Sequence, residues 1–250
     1  MTLVHITLQQ QRIISLLSHF RFLNRLQLQL LLHLKTPGSL NRLLTDLVTK
    51  EYLTRFTGTS FAERSNPAVY SLSHNSIRFI IKQQDIPSTL LKNRYNEKYR
   101  SADFIARSLL IATLSLQWSE QEKQSMDFIL KDQIPDTSIL SDLHPDISFV
   151  LGSKQYHLEI LPEYFPRFRI RSRVNLYCNA LMDQIRETAS KAQPAILFIC
   201  SNTKQQSYIH AYVARKRRNE DMDGNCQFYL TTRQRAEKEG IRTPIWQNAE

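Results

Sequence analysis

Glycine and cysteine are scarce in this 250-residue chain, and their scarcity excludes several classes of site. The five glycines form no GxGxxG motif and no phosphate loop, so the sequence carries no signal for a nucleotide cofactor. The three cysteines, Cys178, Cys200 and Cys226, are odd in number, widely separated and without CxxC spacing. We therefore expect reduced structural thiols, with neither a disulfide framework nor a zinc site. No cofactor is expected.

Long apolar runs are also missing. The longest leucine-rich stretch, LQLQLLLHL, is interrupted by Gln and His well short of the roughly 18 apolar residues that a membrane span needs. The chain starts MTLVHITLQQQR, with no basic segment before an apolar run, so no secretion signal is indicated. We expect a cytoplasmic protein with no membrane partner.

Positive charge is in excess. Lys and Arg number 33 against 23 Asp and Glu, which gives a net charge of +10 and favours polyanionic partners, nucleic acid first. The first 80 residues hold nine of the basic side chains and only three acids. The N-terminal third is therefore expected to carry the nucleic-acid contacts.

The segment from Ser39 to Leu72 has the pattern of a recognition helix followed by a β-hairpin. Pro37-Gly38 interrupts the chain, Ser39 is expected to cap the helix, and Lys50 complements the helix dipole. At roughly 100° per residue, one side of the helix is apolar and consists of Leu40, Leu43, Leu44, Leu47 and Val48. The opposite arc is polar and consists of Asn41, Arg42, Thr45, Asp46, Thr49 and Lys50. One side is expected to pack, and the other is free for a partner.

Two further helices, over residues 8–19 and 24–34, and two strands, over 52–56 and 68–72, surround this helix. Together they predict a winged helix-turn-helix over residues 8–82, in which Asn41, Arg42 and Thr45 lie nearest the base edges. The expected DNA-binding residues of this domain are Ser39, Asn41, Arg42, Thr45, Thr49, Lys50, Arg55 and Arg64. Simple packing of the helix and hairpin, or a winged helix used for protein contacts, remains an alternative.

The remainder of the chain has a different organisation. We expect a linker over residues 83–100 and an α-β-β-β-α-β domain, with one further helix and strand, over 101–232. A polar, mobile tail is expected over 233–250. The fold class is therefore mixed α+β, with two domains.

Two carboxylates in the second domain are candidates for chemistry. If Gly152-Ser153 forms a two-residue turn, Asp146 and Glu159 are directly opposite on the hairpin, with Cβ atoms about 5 Å apart. That spacing allows the two groups to share a divalent cation, and His157 and Ser148 belong to the same face. The alternative is a structural role, in which Asp146 begins a strand and Glu159 is solvated or ion-paired.

The sequence HPD, with Asp146, followed by Glu159 on the next strand resembles the PD-(D/E)XK nuclease pattern. That pattern places a lysine two residues after the glutamate, where this chain has Leu161. The resemblance therefore implies a restriction-endonuclease-like fold with a degenerate catalytic site.

The whole chain is similar to the plasmid and mobile-element replication-relaxation family. The similarity lies in RIISLLSHFRFLNRLQLQLLL, SLNRLLTDLVTKEYLTRF, SADFIARSLL, PDISFVL, YHLEIL and AILFIC. It implies an N-terminal winged helix-turn-helix, a nuclease-like second domain, and DNA binding connected with plasmid replication or transfer.

A second set of basic residues is expected to contact DNA. Between Tyr164 and Arg173, arginines alternate with other residues, and in an extended segment they would form a ladder along a phosphate backbone. These residues are Arg167, Arg169, Arg171 and Arg173. The alternative is a charged edge strand that resists aggregation. The basic run over residues 215–218 has the pattern of a solvated helix face.

These patterns favour a DNA-binding protein of a plasmid or other mobile element, acting on double-stranded DNA in replication, transfer or their regulation. Its expected partners are a second copy of the chain and replication or transfer proteins. Two alternatives stay open: an Mg²⁺-dependent endonuclease or nickase that uses Asp146 and Glu159, with Lys154 or an unrecognised base in place of the missing lysine, and a winged-helix transcriptional regulator.

Overall fold

The computed structural model describes residues 6–57, 66–84, 91–122, 128–134, 143–187, 194–219, 227–240 and 245–249. They form helices and sheets, so the mixed α+β class expected from the sequence is confirmed. The chain divides between Leu116 and Gln117 into two compact units, here called unit 1 and unit 2.

Unit 1 contains a small antiparallel sheet in which β3 lies between β1 and β2. Its elements are α1 (Leu8–Phe20), β1 (Phe22–Asn24), α2 (Arg25–Leu31), α3 (Pro37–Thr49), β2 (Leu53–Phe56), β3 (Val69–Leu72), α4 (His74–Gln84), a 3-10 helix (Lys92–Tyr99) and the first part of α5 (Ala102–Glu122). The two strands expected after the third helix do pair, with Leu53 opposite Leu72. The expected tip of this hairpin, including Arg64, lies outside the described residues.

Polar caps fix where the first two helices begin. Thr7 and Gln10 form a capping box at α1, and Asn24 forms another with Gln27 at α2, which begins close to the start of the helix expected over 24–34. The link expected between these helices is instead β1, because Phe22 and Leu23 are fully buried and pair with β3.

The third helix begins earlier than predicted. Ser39 is not its N-cap: α3 starts at Pro37, and the Ser39 hydroxyl donates back to the carbonyl of Thr36. The physical reason is that proline suits the first helical position, where its missing N–H has no intrahelical partner. Pro37-Gly38 therefore starts the helix instead of interrupting the chain before it.

The sequence predicts a linker over 83–100, but the described C-terminal part of this segment is folded. Residues 92–99 form the 3-10 helix, in which Arg94 and Glu97 are buried. The Glu97 carboxylate lies 2.8 Å from Arg21 Nε and 3.4 Å from Arg100 Nε. Ion pairs with the end of α1 therefore hold a polar segment that composition alone places in solvent.

Unit 2 is built on a six-stranded sheet of order β4-β5-β6-β7-β8-β9. Its elements after α5 are β4 (Ile129–Leu130), a short 3-10 turn (Lys131–Gln133), β5 (Ile147–Leu151), β6 (Lys154–Ile160), α6 (Arg167–Glu187), β7 (Ala195–Cys200), α7 (Thr203–Arg218), β8 (Gln227–Thr232), α8 (Arg233–Glu239) and β9 (Gln247–Asn248). Strands β6, β7 and β8 are parallel, and the other pairs are antiparallel.

One face of this sheet is covered by α6 and α7. Val174 and Tyr177 of α6 join Ile209 and Val213 of α7 in a buried cluster with alternate residues of β7, among them Phe198. Cys178 and Cys200 are free thiols in the same cluster, and burial raises their pKa values to about 11 and about 12. Both have the structural role expected from the sequence, and Cys226 lies outside the described residues.

Of the polar, mobile tail expected over 233–250, residues 233–240 and 245–249 are described, and they contain a helix and a strand. There α8 follows β8 directly, capped by the Thr232 side chain, and β9 pairs with β8. Ile245 and Ala249 are buried, so two apolar residues anchor a segment whose polar side chains gave it the composition of a tail.

Candidate nucleic-acid interface

The exposed face of α3 consists of the residues that the sequence assigns to DNA contact. Leu40, Leu44 and Leu47 are buried and hold the helix against the rest of unit 1. On the opposite side the exposed residues are Ser39, Asn41, Arg42, Thr45 and Thr49. The face therefore offers an amide, a guanidinium and three hydroxyl groups to a partner.

Lys50 is placed differently from these residues. Its ammonium donates to the Asp46 carboxylate at 2.7 Å, and the Gln10 amide of α1 donates to the same oxygen at 2.6 Å. The hydrogen bonds from Lys50 and Gln10 hold the pKa of Asp46 below its ordinary value. The Gln10 bond therefore links α1 to α3, whereas the Lys50–Asp46 pair lies within the end of α3, where both side chains stay partly exposed.

A groove runs between the start of α1 and the exposed face of α3. Besides Ser39, Arg42, Thr45 and Thr49, it is lined by Thr7 and Gln9. Sequence reasoning missed Gln9, whose exposed amide can donate and accept hydrogen bonds. The sequence pattern that could have indicated Gln9 is the capping box, because it starts α1 at Leu8 and so places Gln9 on the outer side of the helix.

Arg55 is the one hairpin cation among the described residues that was assigned to DNA contact. It is exposed on β2, opposite Tyr70, and β2 is an edge strand of the sheet. A guanidinium at this edge suits a phosphate contact beside the helix.

The arginine ladder expected over 167–173 is wrong, because these residues begin α6. At roughly 100° per residue the four side chains spread around the helix and do not project to one side. Arg167, Arg169 and Arg171 are exposed, whereas Arg173 turns inward. The helix forms because Ile170, Val174, Tyr177 and Cys178 have helical spacing and are all buried.

The hairpin of unit 2 has the predicted register. Gly152-Ser153 is the turn, with a positive φ of 61° at Gly152 that favours glycine, and Ser148 pairs with His157. Asp146 and Glu159 therefore occupy opposite positions at the end of the pair. Asp146 is buried, and its Oδ2 accepts the Ile160 N–H at 2.7 Å, so this carboxylate closes the end of the hairpin.

Glu159 is held by α6. Arg173 Nε lies 2.9 Å from Glu159 Oε1, Arg173 Nη2 lies 2.5 Å from Oε2, and the Tyr177 hydroxyl donates to Oε2 at 3.0 Å. Burial alone would lower the pKa of Arg173, but its bonds to Glu159 raise it above its ordinary value. A fixed guanidinium thus supplies the positive charge that a divalent cation would bring to Glu159.

His157 and Ser148 form a second buried contact on this hairpin. The Ser148 hydroxyl and His157 Nδ1 are 2.5 Å apart, and burial lowers the pKa of His157 to about 4. The ring is therefore neutral at pH 7 and shares a hydrogen bond with the Ser148 hydroxyl. Both side chains are 1 % exposed, which suits packing and leaves no room for a substrate.

Neither Leu161 nor Lys154 is placed to act as the lysine of the nuclease pattern. Leu161 belongs to the apolar cluster of unit 2. Lys154 bonds to Gln227 and lies five residues from Glu159 along β6, about 16 Å at the usual strand rise. Within the described parts of the chain, no three His, Cys, Asp or Glu side chains are grouped to hold a metal ion.

None of the helices described is both long and apolar enough to cross a membrane. No protein-family model matches this chain, and neither a curated protein nor a solved structure is significantly similar to it.

Proposed function

We propose that this chain binds double-stranded DNA through unit 1, as a winged helix that places α3 in the major groove. The observation that carries the proposal is the order α1-β1-α2-α3-β2-β3, with β3 central in the sheet and a polar face of α3 left exposed. A helix of this kind fits the major groove when its outward side chains are polar and its inward side chains pack.

The roles of the exposed residues follow from their positions. Asn41 and Arg42, near the N-terminus of α3, are suited to adenine and guanine edges, and Thr45 lies one turn further along. Gln9 and Ser39 line the groove on the protein between α1 and α3. Thr49, Lys50 and Arg55 are suited to phosphate contacts, as is Arg64, which lies outside the described residues.

The biological setting in this proposal is replication or transfer of a plasmid or other mobile element, or its regulation. It rests on the sequence resemblance, with which the order α5-β4-β5-β6-α6-β7 agrees. In this proposal unit 2 is a degenerate nuclease-like domain that adds backbone contacts or pairs two copies of the chain.

The bonds of Glu159 favour this non-catalytic role over an endonuclease. For Asp146 and Glu159 to share Mg²⁺, Glu159 would have to leave Arg173 and Tyr177, and Asp146 would have to release the Ile160 N–H. Each carboxylate already makes short hydrogen bonds inside the protein, so a cation must displace them to bind.

Selection from a random pool of duplex DNA tests the proposal. The wild-type chain is expected to enrich one sequence motif, and Asn41→Ala to relax the preference at one base position by about 1–3 kcal/mol of discrimination. The matched control is Asn96→Ala, the same change at an exposed site on the 3-10 helix of unit 1, which is expected to leave the motif unaltered.

The triple change Asn41→Ala, Arg42→Ala and Thr45→Ala is expected to abolish the enrichment. All three side chains are exposed, so the variant is expected to fold. A motif that survives the triple change would contradict the assignment of α3 as the recognition helix.

A further inference from the structure

Two aromatic rings are exposed where α6 begins. Tyr164, in the turn before the helix, is 89 % exposed, and Phe168, in its first turn, is 61 % exposed. Large apolar side chains in this state lose the benefit of burial, and neighbouring ones mark a contact surface more often than single ones do.

Arginines flank Phe168 on α6. Phe168 lies near the middle of the outward side of α6, with Arg171 to one side and Arg169 to the other. The Arg169 guanidinium is 6.0 Å from the centre of the Phe168 ring. Arg167 lies over the ring of Tyr208 at 5.0 Å, so its guanidinium is held against α7.

The positive charge of this surface exceeds the nearby negative charge, whose nearest member along the chain is the exposed Glu163 beside Tyr164. Where the structure describes the chain, Arg167, Arg169 and Arg171 form no ion pair with an acidic side chain. The first turn of α6 holds no acid, and α7 contains none along its length. Arg215 of α7 is exposed over Tyr212 at 5.4 Å and continues the positive surface about 10 Å beyond Tyr208 at the usual helical rise.

We propose that this surface of unit 2 binds a single-stranded nucleic acid. Unpaired bases stack on Tyr164 and Phe168, and the phosphates between them contact Arg167, Arg169 and Arg171. Aromatic platforms beside cationic side chains are the usual means of holding a single strand without sequence preference. A duplex keeps its bases stacked inside and cannot use the rings, whereas an apolar protein partner would leave three guanidinium groups without counter-charge.

This inference goes beyond the duplex-binding proposal and is independent of it, because every residue it uses lies in unit 2. A protein that holds a duplex site with one unit and an unpaired strand with the other is suited to a region where DNA is being opened. Failure of either activity can be recognised separately, since the two sets of variants do not overlap.

Fluorescence anisotropy with a labelled oligothymidylate of about 20 nucleotides, which exceeds the site size of one such binding surface, tests the inference. The full-length wild type is expected to bind at low salt. The pair Tyr164→Leu and Phe168→Leu keeps the apolar character but removes the rings, and is expected to weaken binding by about tenfold or more for each ring. Changing Arg167, Arg169 and Arg171 to Gln is expected to reduce the slope of log affinity against log salt by about 2.

Tyr99→Leu is the matched control, because Tyr99 is a 74 % exposed tyrosine in unit 1 and its loss is expected to leave binding to the oligonucleotide unchanged. An oligouridylate of the same length shows whether DNA or RNA is preferred, and binding of either polymer supports the surface. The inference is overturned if the wild type binds neither polymer at low salt, or if the two leucine changes leave the affinity as it was. Loss of self-association in that leucine variant, without oligonucleotide binding by the wild type, would assign the rings to a second copy of the chain and also overturn it.

Discussion

Arg173 and Glu159 decide what the carboxylate end of the hairpin in unit 2 can do. The guanidinium contacts both oxygens of Glu159, and its Nη2 also donates to the Leu143 carbonyl at 2.6 Å. Tyr177, one turn along α6, fills the remaining side. A buried pair with this many bonds is costly to break at one partner, because the other charge is then left in the interior.

We expect Arg173→Met to lower the free energy of unfolding by about 3–5 kcal/mol, since it leaves Glu159 buried without a cation. Adding Glu159→Gln is expected to recover much of the loss, because the carboxylate that Arg173 paired with is then replaced by a neutral amide and Tyr177 keeps a partner. Urea denaturation followed by tryptophan fluorescence measures both, since the two tryptophans, Trp118 and Trp246, belong to unit 2. Arg171→Met, an exposed arginine of the same helix, is the control. A double variant no more stable than Arg173→Met would contradict this account.

The position of Glu159 opposite Asp146 was predictable, because a two-residue turn fixes every pair in the hairpin. The role of Arg173 was not, since alternate arginines suggest a strand as readily as a helix. The buried spacing of Ile170, Val174 and Tyr177 was the signal that favoured a helix and turned Arg173 inward. The contact between Arg173 and Glu159 then depends on how α6 packs against the sheet, which a local sequence pattern does not specify.

The 3-10 helix is a whole element that local sequence patterns do not predict. Its composition is polar, but Glu97 is 1 % exposed and is shared among Arg21, Arg94 and Arg100. The guanidinium groups of Arg21 and Arg100 also lie over the Phe104 ring, at 4.6 and 5.0 Å. One carboxylate therefore joins the end of α1, the 3-10 helix and the start of α5.

Limited proteolysis of the full chain with trypsin tests this junction. In the wild type we expect Arg94 and Lys98 to resist cleavage, because the backbone around them is folded against unit 1. Glu97→Gln removes the shared charge and is expected to speed cleavage there by about tenfold or more, since cleavage follows the population of the open state. Asp103→Asn, at an exposed acid of α5, is the control. Equal cleavage rates in wild type and Glu97→Gln would show that the ion pairs do not hold the segment.

The elements that the sequence located best are those with apolar periodicity or a cap. The hairpins of both units and the start of α2, next to Asn24, are examples. The elements it missed have their apolar residues far apart or at the very end, as in 233–250, where Ile245 and Ala249 provide the anchor. Long-range burial decides such segments, and a local pattern does not contain it.

At the level of the whole molecule, unit 1 holds 15 Lys and Arg against 6 Asp and Glu, and unit 2 holds 18 against 17, so the net charge of +10 lies almost entirely in unit 1. In unit 1 the exposed face of α3 combines Asn41 and Arg42 with hydroxyl groups. In unit 2 three exposed arginines accompany exposed rings. The chemistry of the first suits base edges in a groove, and that of the second suits unpaired bases. The positive surface of unit 2 is therefore a local group of arginines in a unit with almost no net charge, and both nucleic-acid contacts are proposals for experiment.

The central claim is that α3 contacts duplex DNA, and a salt titration of binding to a labelled duplex by anisotropy tests it most directly. We expect wild-type affinity to fall linearly with log salt, and Arg42→Ala to reduce the slope by about 0.9 for the phosphate or base-edge contact it loses. Arg78→Ala removes the same charge from an exposed site on α4 and is expected to leave the slope unchanged. Absence of binding by the wild type at low salt, or equal slopes for wild type and Arg42→Ala, would contradict the account.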